Sequence, residues 1–217
     1  MQRRTDKPEA KERILDAAEK LFAEKGYRAV TVREITEAAG CNIASVNYHF
    51  GSKKGLYLQV FERRWVPRAE RLGAYFRKQV EEEPDMEGSP LAGALAAAML
   101  SGPLTEEERK RHHQLAAREM TQPTEAFTLL AQKAFEPMFR LLSEHLRETY
   151  RWEDEQTLAL CTFSLLGLSL YFNLARPLVS WITGQEYDQD FARRLTRHIA
   201  RFAGGGLAAC GKERKSP

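Results

Sequence analysis

The chain has 217 residues, 43% of them apolar and 29% charged, enough for one large or two modest domains with a sizeable core. Residues 1 to 64 hold 13 Lys and Arg against 9 Asp and Glu while the rest hold 20 against 21, so the net +3 arises in the first third, a weak pointer to nucleic acid. Cys41, Cys161 and Cys210 are too scattered for a metal knuckle or a C-x-x-C pair, and an odd number argues against a disulfide framework, which fits a reducing cytoplasm.

Apolar residues recur with helical spacing and no run alternates as a half-buried strand would, which predicts an all-α chain of about nine helices with no sheet and no internal repeat. Met1 to Ala10 is polar and charged and so is no signal peptide. The first helix follows Pro8 and runs to about Glu24, with Ile14, Ala17, Ala18, Leu21 and Phe22 on one face, and stops at Gly26. Thr31-Val-Arg-Glu34 has capping-box spacing and starts a short helix that ends at Ala38-Ala39-Gly40, where glycine permits a left-handed exit. Asn42 caps the next helix, which turns Ile43, Val46 and Phe50 inward and leaves Ala44, Ser45, Asn47 and Tyr48 outside until Gly51 ends it.

Ser52 caps a longer helix through Leu56, Val60 and Phe61 to about Val80, followed by a loop from Glu81 to Ser89 that contains Pro84 and Gly88. Three more starts are Ser89-Pro90, Thr105 with Glu108 as a second capping box, and a position near Pro123. The last two helices run from about Glu153 to Ile182, with Pro177 forcing a bend or break, and from Asp188 to about Ala203, closed by Gly204-Gly205-Gly206. The tail after Ala209 is expected to be disordered. Leu158 to Leu174 is the longest apolar stretch, but its Thr, Ser, Gly and Asn make it a buried helix and not a membrane span.

Two short helices joined by a tight glycine turn have the geometry to lay the second in a DNA major groove. The run Thr31-Val-Arg-Glu-Ile-Thr-Glu-Ala-Ala-Gly40, the segment Asn42 to Phe50, and Ser52-Lys53-Lys54-Gly55-Leu56 together resemble the DNA-binding signature of the TetR family, over roughly residues 8 to 60. The wording Asn-Ile-Ala-Ser-Val-Asn-Tyr-His-Phe-Gly-Ser-Lys resembles the branch with a CerR-type (CecR-like) C-terminal domain. The resemblance implies a helix-turn-helix at 31–50 within a three-helix DNA-binding domain at 1–64, and a larger helical effector-binding and dimerisation domain at 65–217. It further implies that Thr31, Tyr48, His49 and Lys53 hold phosphates and that Arg33, Ala44, Ser45 and Asn47 meet base edges. Hydroxyls, helix-terminal amides and cations suit phosphate, whereas Asn pairs with adenine and Arg with guanine, which makes Asn47 and Arg33 the specificity residues. Asn47 departs from the family, where that position is commonly aromatic. Tyr48 and His49 have a purely structural alternative, packing the recognition helix onto its neighbours.

The family dimerises through a four-helix bundle, and here Leu158, Phe163, Leu166, Leu170, Phe191, Leu195, Ile199 and Phe202 are the expected contact residues. A two-fold dimer spaces its recognition helices by about one DNA turn and reads a pseudo-palindrome. Met99, Met120, Phe135, Met138, Tyr171 and Phe172 are the candidate lining of a pocket for a small, largely apolar effector, although such residues at helical spacing also build ordinary cores. Adjacent His112 and His113, with Glu108 at i, i+4 from His112, offer two metal ligands at most; the intervening Arg109, Lys110 and Arg111 read instead as a solvated, salt-bridged face, so no metal and no cofactor are expected. Cys41 reads as a small packed thiol and not as a redox switch.

The resulting expectation is a cytoplasmic, ligand-responsive repressor that binds an operator in double-stranded DNA as a homodimer, has no membrane partner, and is released when effector shifts the dimer to a wrongly spaced state. A DNA-binding adaptor regulated by a protein partner is the alternative. An enzyme is the weakest reading, because no nucleophile with a base, phosphate loop or paired acids stands out.

Overall fold

The computed structural model describes residues 6–83 and 86–213. Pro84 of the expected loop and the last four residues of the expected disordered tail lie outside the described residues. The helices are α1 (Asp6–Lys25), α2 (Val32–Ala39), α3 (Ile43–Phe50), α4 (Lys53–Val60), α5 (Val66–Glu82), α6 (Pro90–Ser101), α7 (Glu106–Thr121), α8 (Glu125–Leu130), α9 (Glu136–Thr149), α10 (Glu155–Leu174), α11 (Arg176–Thr183) and α12 (Gln189–Cys210). Single π turns at Phe61–Trp65 and Ala131–Phe135 carry α4 into α5 and α8 into α9 without a loop, so the twelve segments form ten rods. The architecture is all-α. Among the described residues the strand pairing is a two-residue antiparallel ladder, in which β1 (Tyr150–Arg151) pairs with β2 (Lys212–Glu213).

The chain divides into two compact units. The first holds residues up to Ala69 and also Glu106–Lys133, so α7 and α8 fold with the N-terminal helices and the unit extends beyond 1–64. Its core packs Ile14, Leu15, Ala18 and Phe22 of α1 with Ile35, Val46, Leu56, Val60 and Leu115. Rings of Phe22, Tyr27, Phe61 and Tyr57 meet at centroid separations of 4.7–5.1 Å around Tyr57. The Tyr57 hydroxyl donates to Glu119 Oε1 of α7 at 2.6 Å, and Arg118 Nε donates to the Ala23 carbonyl at 2.9 Å, satisfying an acceptor at the end of α1.

A buried charge cluster also reaches α7. Glu19 is fully buried and accepts from Arg68 Nη1 and, at 3.3 Å, from Arg68 Nη2, while Arg111 Nη1 lies 3.5 Å away. A buried carboxylate is tolerable only when cations and donors replace its water, and these two arginines do so. The expected solvated face around His112 and His113 is corrected: both rings are buried, and His112 stacks on Trp65 at 4.4 Å and 9° while its carbonyl accepts from Trp65 Nε1 at 2.9 Å. Burial, then the neighbouring His113 and Arg68, hold the His112 pKa well below its usual range. Among the described residues no group of three or more His, Cys, Asp or Glu side chains is placed to hold a metal ion.

The second unit, Glu70–Thr105 with Ala134 onward, is built around α6, whose Leu91, Ala92, Ala94, Leu95, Ala96 and Ala98 are buried on all sides. An alanine-rich helix exposes little bulk, so α10 and α12 approach it closely. Leu158 and Leu165 of α10 and Phe191, Leu195, Ile199, Ala203 and Leu207 of α12 fill the same core. The expected end of α12 at Gly204-Gly205-Gly206 is corrected: the helix runs on to Cys210. Gly204 is needed for proximity, since a Cβ there would sit 2.8 Å from the Gly88 carbonyl carbon and 3.0 Å from the Ser89 nitrogen. Ser89 N donates to the Ala200 carbonyl at 2.9 Å at this crossing. The break beside Pro177 falls at Ala175, where α11 begins anew. By length and composition alone α10 could cross a membrane; here its Leu158, Thr162, Leu165, Ser169 and Asn173 stripe is buried within the unit.

Candidate nucleic-acid interface

The turn between α2 and α3 is set by local chemistry. Thr31 Oγ1 accepts from the Glu34 amide at 3.2 Å and Glu34 Oε2 accepts from the Thr31 amide at 2.8 Å, completing the capping box. Lys25 Nζ pairs with Glu34 Oε1 at 2.8 Å, and this contact with the Thr31 donors pulls the Glu34 carboxyl down to about 2. Gly40 then turns left-handed at φ 61 and ψ 44, and Arg13 Nε of α1 donates to the Ala39 carbonyl at 3.2 Å. Asn42 Oδ1 accepts from the Ser45 amide at 3.0 Å and starts α3, and Ser52 Oγ accepts from the Gly55 amide at 3.0 Å and starts α4.

Only Val46 and Phe50 of α3 are buried. Ile43 was expected to face inward, yet it is 50% exposed, because it occupies the first turn, which overhangs the core that Val46 and Phe50 fill from the later turns. Ala44, Asn47 and Tyr48 are exposed, Tyr48 by 70%, and Ser45 is half-buried with its hydroxyl on Asn42 Oδ1 at 3.0 Å. His49 is half-buried and meets Tyr48 edge-on at 5.0 Å and Phe50 at 6.1 Å, so it packs as well as borders the surface.

The flanking residues are less free than their sequence indicates. The Thr31 hydroxyl and amide are both committed to Glu34. Arg33 Nε is paired with Glu37 at 3.0 Å on an open surface, where such pairs exchange readily for other partners. Lys53 Nζ lies 4.5 Å from the Tyr27 ring centroid, and its partial burial pulls the ammonium pKa below its ordinary value. Arg28 is a further exposed cation in the segment before α2 that sequence reasoning did not single out.

The remaining site residues separate. Of the expected contact residues in the second unit, Leu158, Phe191, Leu195 and Ile199 are buried in the core of the single chain. Leu166 and Leu170 are half-buried, whereas Phe163 and Phe202 are 62% and 66% exposed. Leu160, Tyr171 and Leu174 share the open side of α10 with Phe163 and were missed as contact candidates, because an all-round apolar helix gives no periodicity from which to choose a face. Met99, Met138 and Phe172 pack beside the second unit's core and Phe135 is half-buried. Tyr171 is exposed, and Met120 lies on α7 in the first unit, so the six expected lining residues do not form one set.

A family model for bacterial regulatory proteins of the tetR family matches residues 14–60, and one for the C-terminal domain of the HTH-type transcriptional dual regulator CecR matches residues 93–209. Over 205 residues the chain is 30% identical to the HTH-type transcriptional dual regulator CecR of Shigella flexneri, covering 88% of this chain and 90% of that protein. A bacterial regulatory protein in the tetR family from Rhodococcus RHA1 has a TM-score of 0.62 at 17% identity, covering 93% of this chain and 97% of that one. A transcriptional regulator from Saccharomonospora viridis in complex with choline has a TM-score of 0.55 at 20% identity, covering 88% and 95%. These two likenesses speak to the fold, and the matched family and curated relative are transcription regulators, not enzymes. With its N-terminal signature, its C-terminal domain and a relative along most of its length in agreement, the chain belongs to the TetR family of bacterial transcription regulators and carries the CecR-type C-terminal domain.

Proposed function

We propose that this regulator acts as a homodimeric repressor on a pseudo-palindromic operator and leaves it when a small, largely apolar effector binds the second unit. The observation that carries the DNA reading is the outer face of α3, where Ile43, Ala44, Asn47 and Tyr48 are open while Val46 and Phe50 anchor the helix from behind. Asn47 would bond an adenine edge and Ile43 would meet a thymine methyl. Tyr48 and Lys53 would hold phosphates, with Lys53 already stripped of part of its water. Thr31 and Arg33 would join after exchanging their partners Glu34 and Glu37 for DNA.

The open apolar side of α10, with Phe163, and Phe202 of α12 supports a subunit contact, since large apolar side chains in one row seek cover. The half-buried Met99, Phe135, Met138 and Phe172 support an effector site in the second unit, where adaptable side chains would part for a ligand. The choline complex of the Saccharomonospora viridis protein is in keeping with a small organic effector.

The test is a binding titration against duplexes selected from a random pool, repeated across salt concentrations. Lys53→Ala is expected to weaken binding to every duplex and to reduce the salt slope by about one ion. Asn47→Ala is expected to cost about 1–3 kcal/mol on the preferred duplex and to change which sequence is preferred. Equal losses on all sequences from Asn47→Ala refute its base contact, and no salt-dependent binding to any duplex refutes the function.

A further inference from the structure

The outward face of α12 carries charge of one sign. Arg193, Arg194, Arg197, His198 and Arg201 are exposed, while Phe191, Leu195 and Ile199 seat the helix in the core behind them. Arg194, Arg197 and Arg201, at i, i+3 and i+7, share one side of the helix and span about 10 Å of its axis. With His198 they line an open cleft of about 370 Å³ whose lining includes no carboxylate. A second cleft of about 420 Å³ shares Arg194 and Arg197 and is completed by Arg193, Asp188 and Asp190. Four other helices set an acid one turn from a cation, at Arg33–Glu37 on α2, Lys78–Glu82 on α5, Glu107–Arg111 on α7 and Glu136–Arg140 on α9. On α12 Arg197 instead has Arg193 four residues before it and Arg201 four residues after it, a spacing at which like charges weaken a helix. Asp190 is paired with Arg193 and Glu87 with Arg201, Arg194 donates to the neutral Gln185 Oε1, and Arg197 has no carboxylate partner among the described residues. The His198 ring is fixed in place, edge-on to Phe172 at 6.3 Å and stacked on Phe202 at 6.1 Å.

We propose that Arg194, Arg197 and Arg201, with His198, form a binding site for a small phosphorylated anion that carries at least two negative charges. A planar guanidinium donates two parallel N–H bonds to a phosphoryl group, and three guanidinium groups on one side of a helix can hold adjacent phosphoryl groups with no change in the backbone. A single negative charge leaves the row strongly positive, whereas a diphosphate neutralises most of it and removes the repulsion centred on Arg197. The carboxylates of Asp188 and Asp190 repel such an anion from the second cleft and so direct it to the first. Arg201 releases Glu87 when the anion arrives, because a pair this exposed has little net strength. The site includes no residue of α3 and none of the half-buried side chains offered for the apolar effector, so it is a separate input to the regulator and stands independently of both readings.

The test is isothermal titration of the full chain with inorganic pyrophosphate at physiological ionic strength. Saturable binding of one pyrophosphate per chain is expected, with a melting temperature that rises as ligand is added. Arg197→Ala is expected to weaken binding about tenfold or more, and Arg197→Lys, which keeps the charge and loses the fork, to fall between that variant and the unaltered chain. Because Arg197 holds no carboxylate, the ligand-free melting temperature of Arg197→Ala is expected to hold or rise, which separates a binding role from a structural one. Arg140→Ala, which removes another exposed arginine of the same unit, is expected to leave the affinity unchanged. Repeating the titration with ATP identifies the source of the phosphoryl groups: tighter binding than pyrophosphate points to a nucleoside phosphate, equal binding to an inorganic chain, and either upholds the site. Absence of saturable binding, an equal loss from Arg140→Ala, competition by sulfate or citrate as effective as that of pyrophosphate, or binding lost in Lys53→Ala and kept in Arg197→Ala each overturn the assignment.

Discussion

Gly55 is the third residue of α4, the helix that follows the recognition helix, and its hydrogen matters more than its flexibility. A methyl carbon built on it would fall well inside 3.0 Å of the Phe50 carbonyl oxygen and at 3.3 Å from the carbonyl carbon. The obstructing atoms are backbone, the last of α3, so no rotamer relieves the overlap. A normal contact is regained only if α3 and α4 part by roughly 1 Å. Gly55→Ala therefore sets two effects against each other. Helix propensity favours alanine by about 1 kcal/mol, whereas forced separation of packed backbone costs about 1–3 kcal/mol or more. Steric overlap with main chain wins, and the melting temperature is expected to fall by about 2–4 °C for each net kcal/mol. The same displacement carries the end of α3 away from its docked position, so operator affinity falls by more than stability alone accounts for. Differential scanning calorimetry and fluorescence anisotropy on one preparation check both. A melting temperature equal to or above that of the unaltered chain, with undiminished operator binding, refutes the close-packing argument.

Glu19→Gln removes the charge that Arg68 and Arg111 share, but Arg68 keeps Glu108 at 3.5 Å and Arg111 keeps Glu107 at 3.1 Å, so the expected loss lies below the about 3–5 kcal/mol of a fully unpaired buried charge; urea unfolding is expected to register it, and a change below about 0.5 kcal/mol counts against a structural ion network. His112 is held neutral in the fold, so below about pH 6.5 the unfolded chain binds the extra proton and stability declines as pH falls, by up to about 1.4 kcal/mol per pH unit. His112→Gln is expected to remove that component from the slope measured between pH 6.5 and 5, and an unchanged slope assigns the proton uptake elsewhere.

Features written in a few consecutive residues were readable in advance. The capping box at Thr31 and Glu34, the Asn42 and Ser52 caps and the left-handed Gly40 depend on side chains reaching neighbours three positions away, and all are present. What escaped prediction depends on partners distant in sequence. Arg109, His112 and His113 read as solvated because nothing in their own helix reveals Trp65 or Glu19 lying against it. The glycine run in α12 read as a stop because the sequence does not show the Gly88 backbone pressed against Gly204. Of the candidate DNA contacts, the outward positions on α3 were legible from periodicity, while Ile43 was misplaced because a helix's first turn projects past the core it belongs to.

The way α7 packs on α1, with α8 against α4, bears on how such regulators can be recombined. The intervening stretch from Glu70 to Thr105 belongs to the other unit, so the DNA-reading half is discontinuous along the gene. A hybrid that grafts a foreign sensor after residue 64 would discard Trp65, Arg68, Arg111 and Glu119 together, leaving Glu19 without its cations and Tyr57 without its acceptor. Viable chimaeras of this protein need more than one splice point, with Glu106–Lys133 inherited alongside the operator-reading helices.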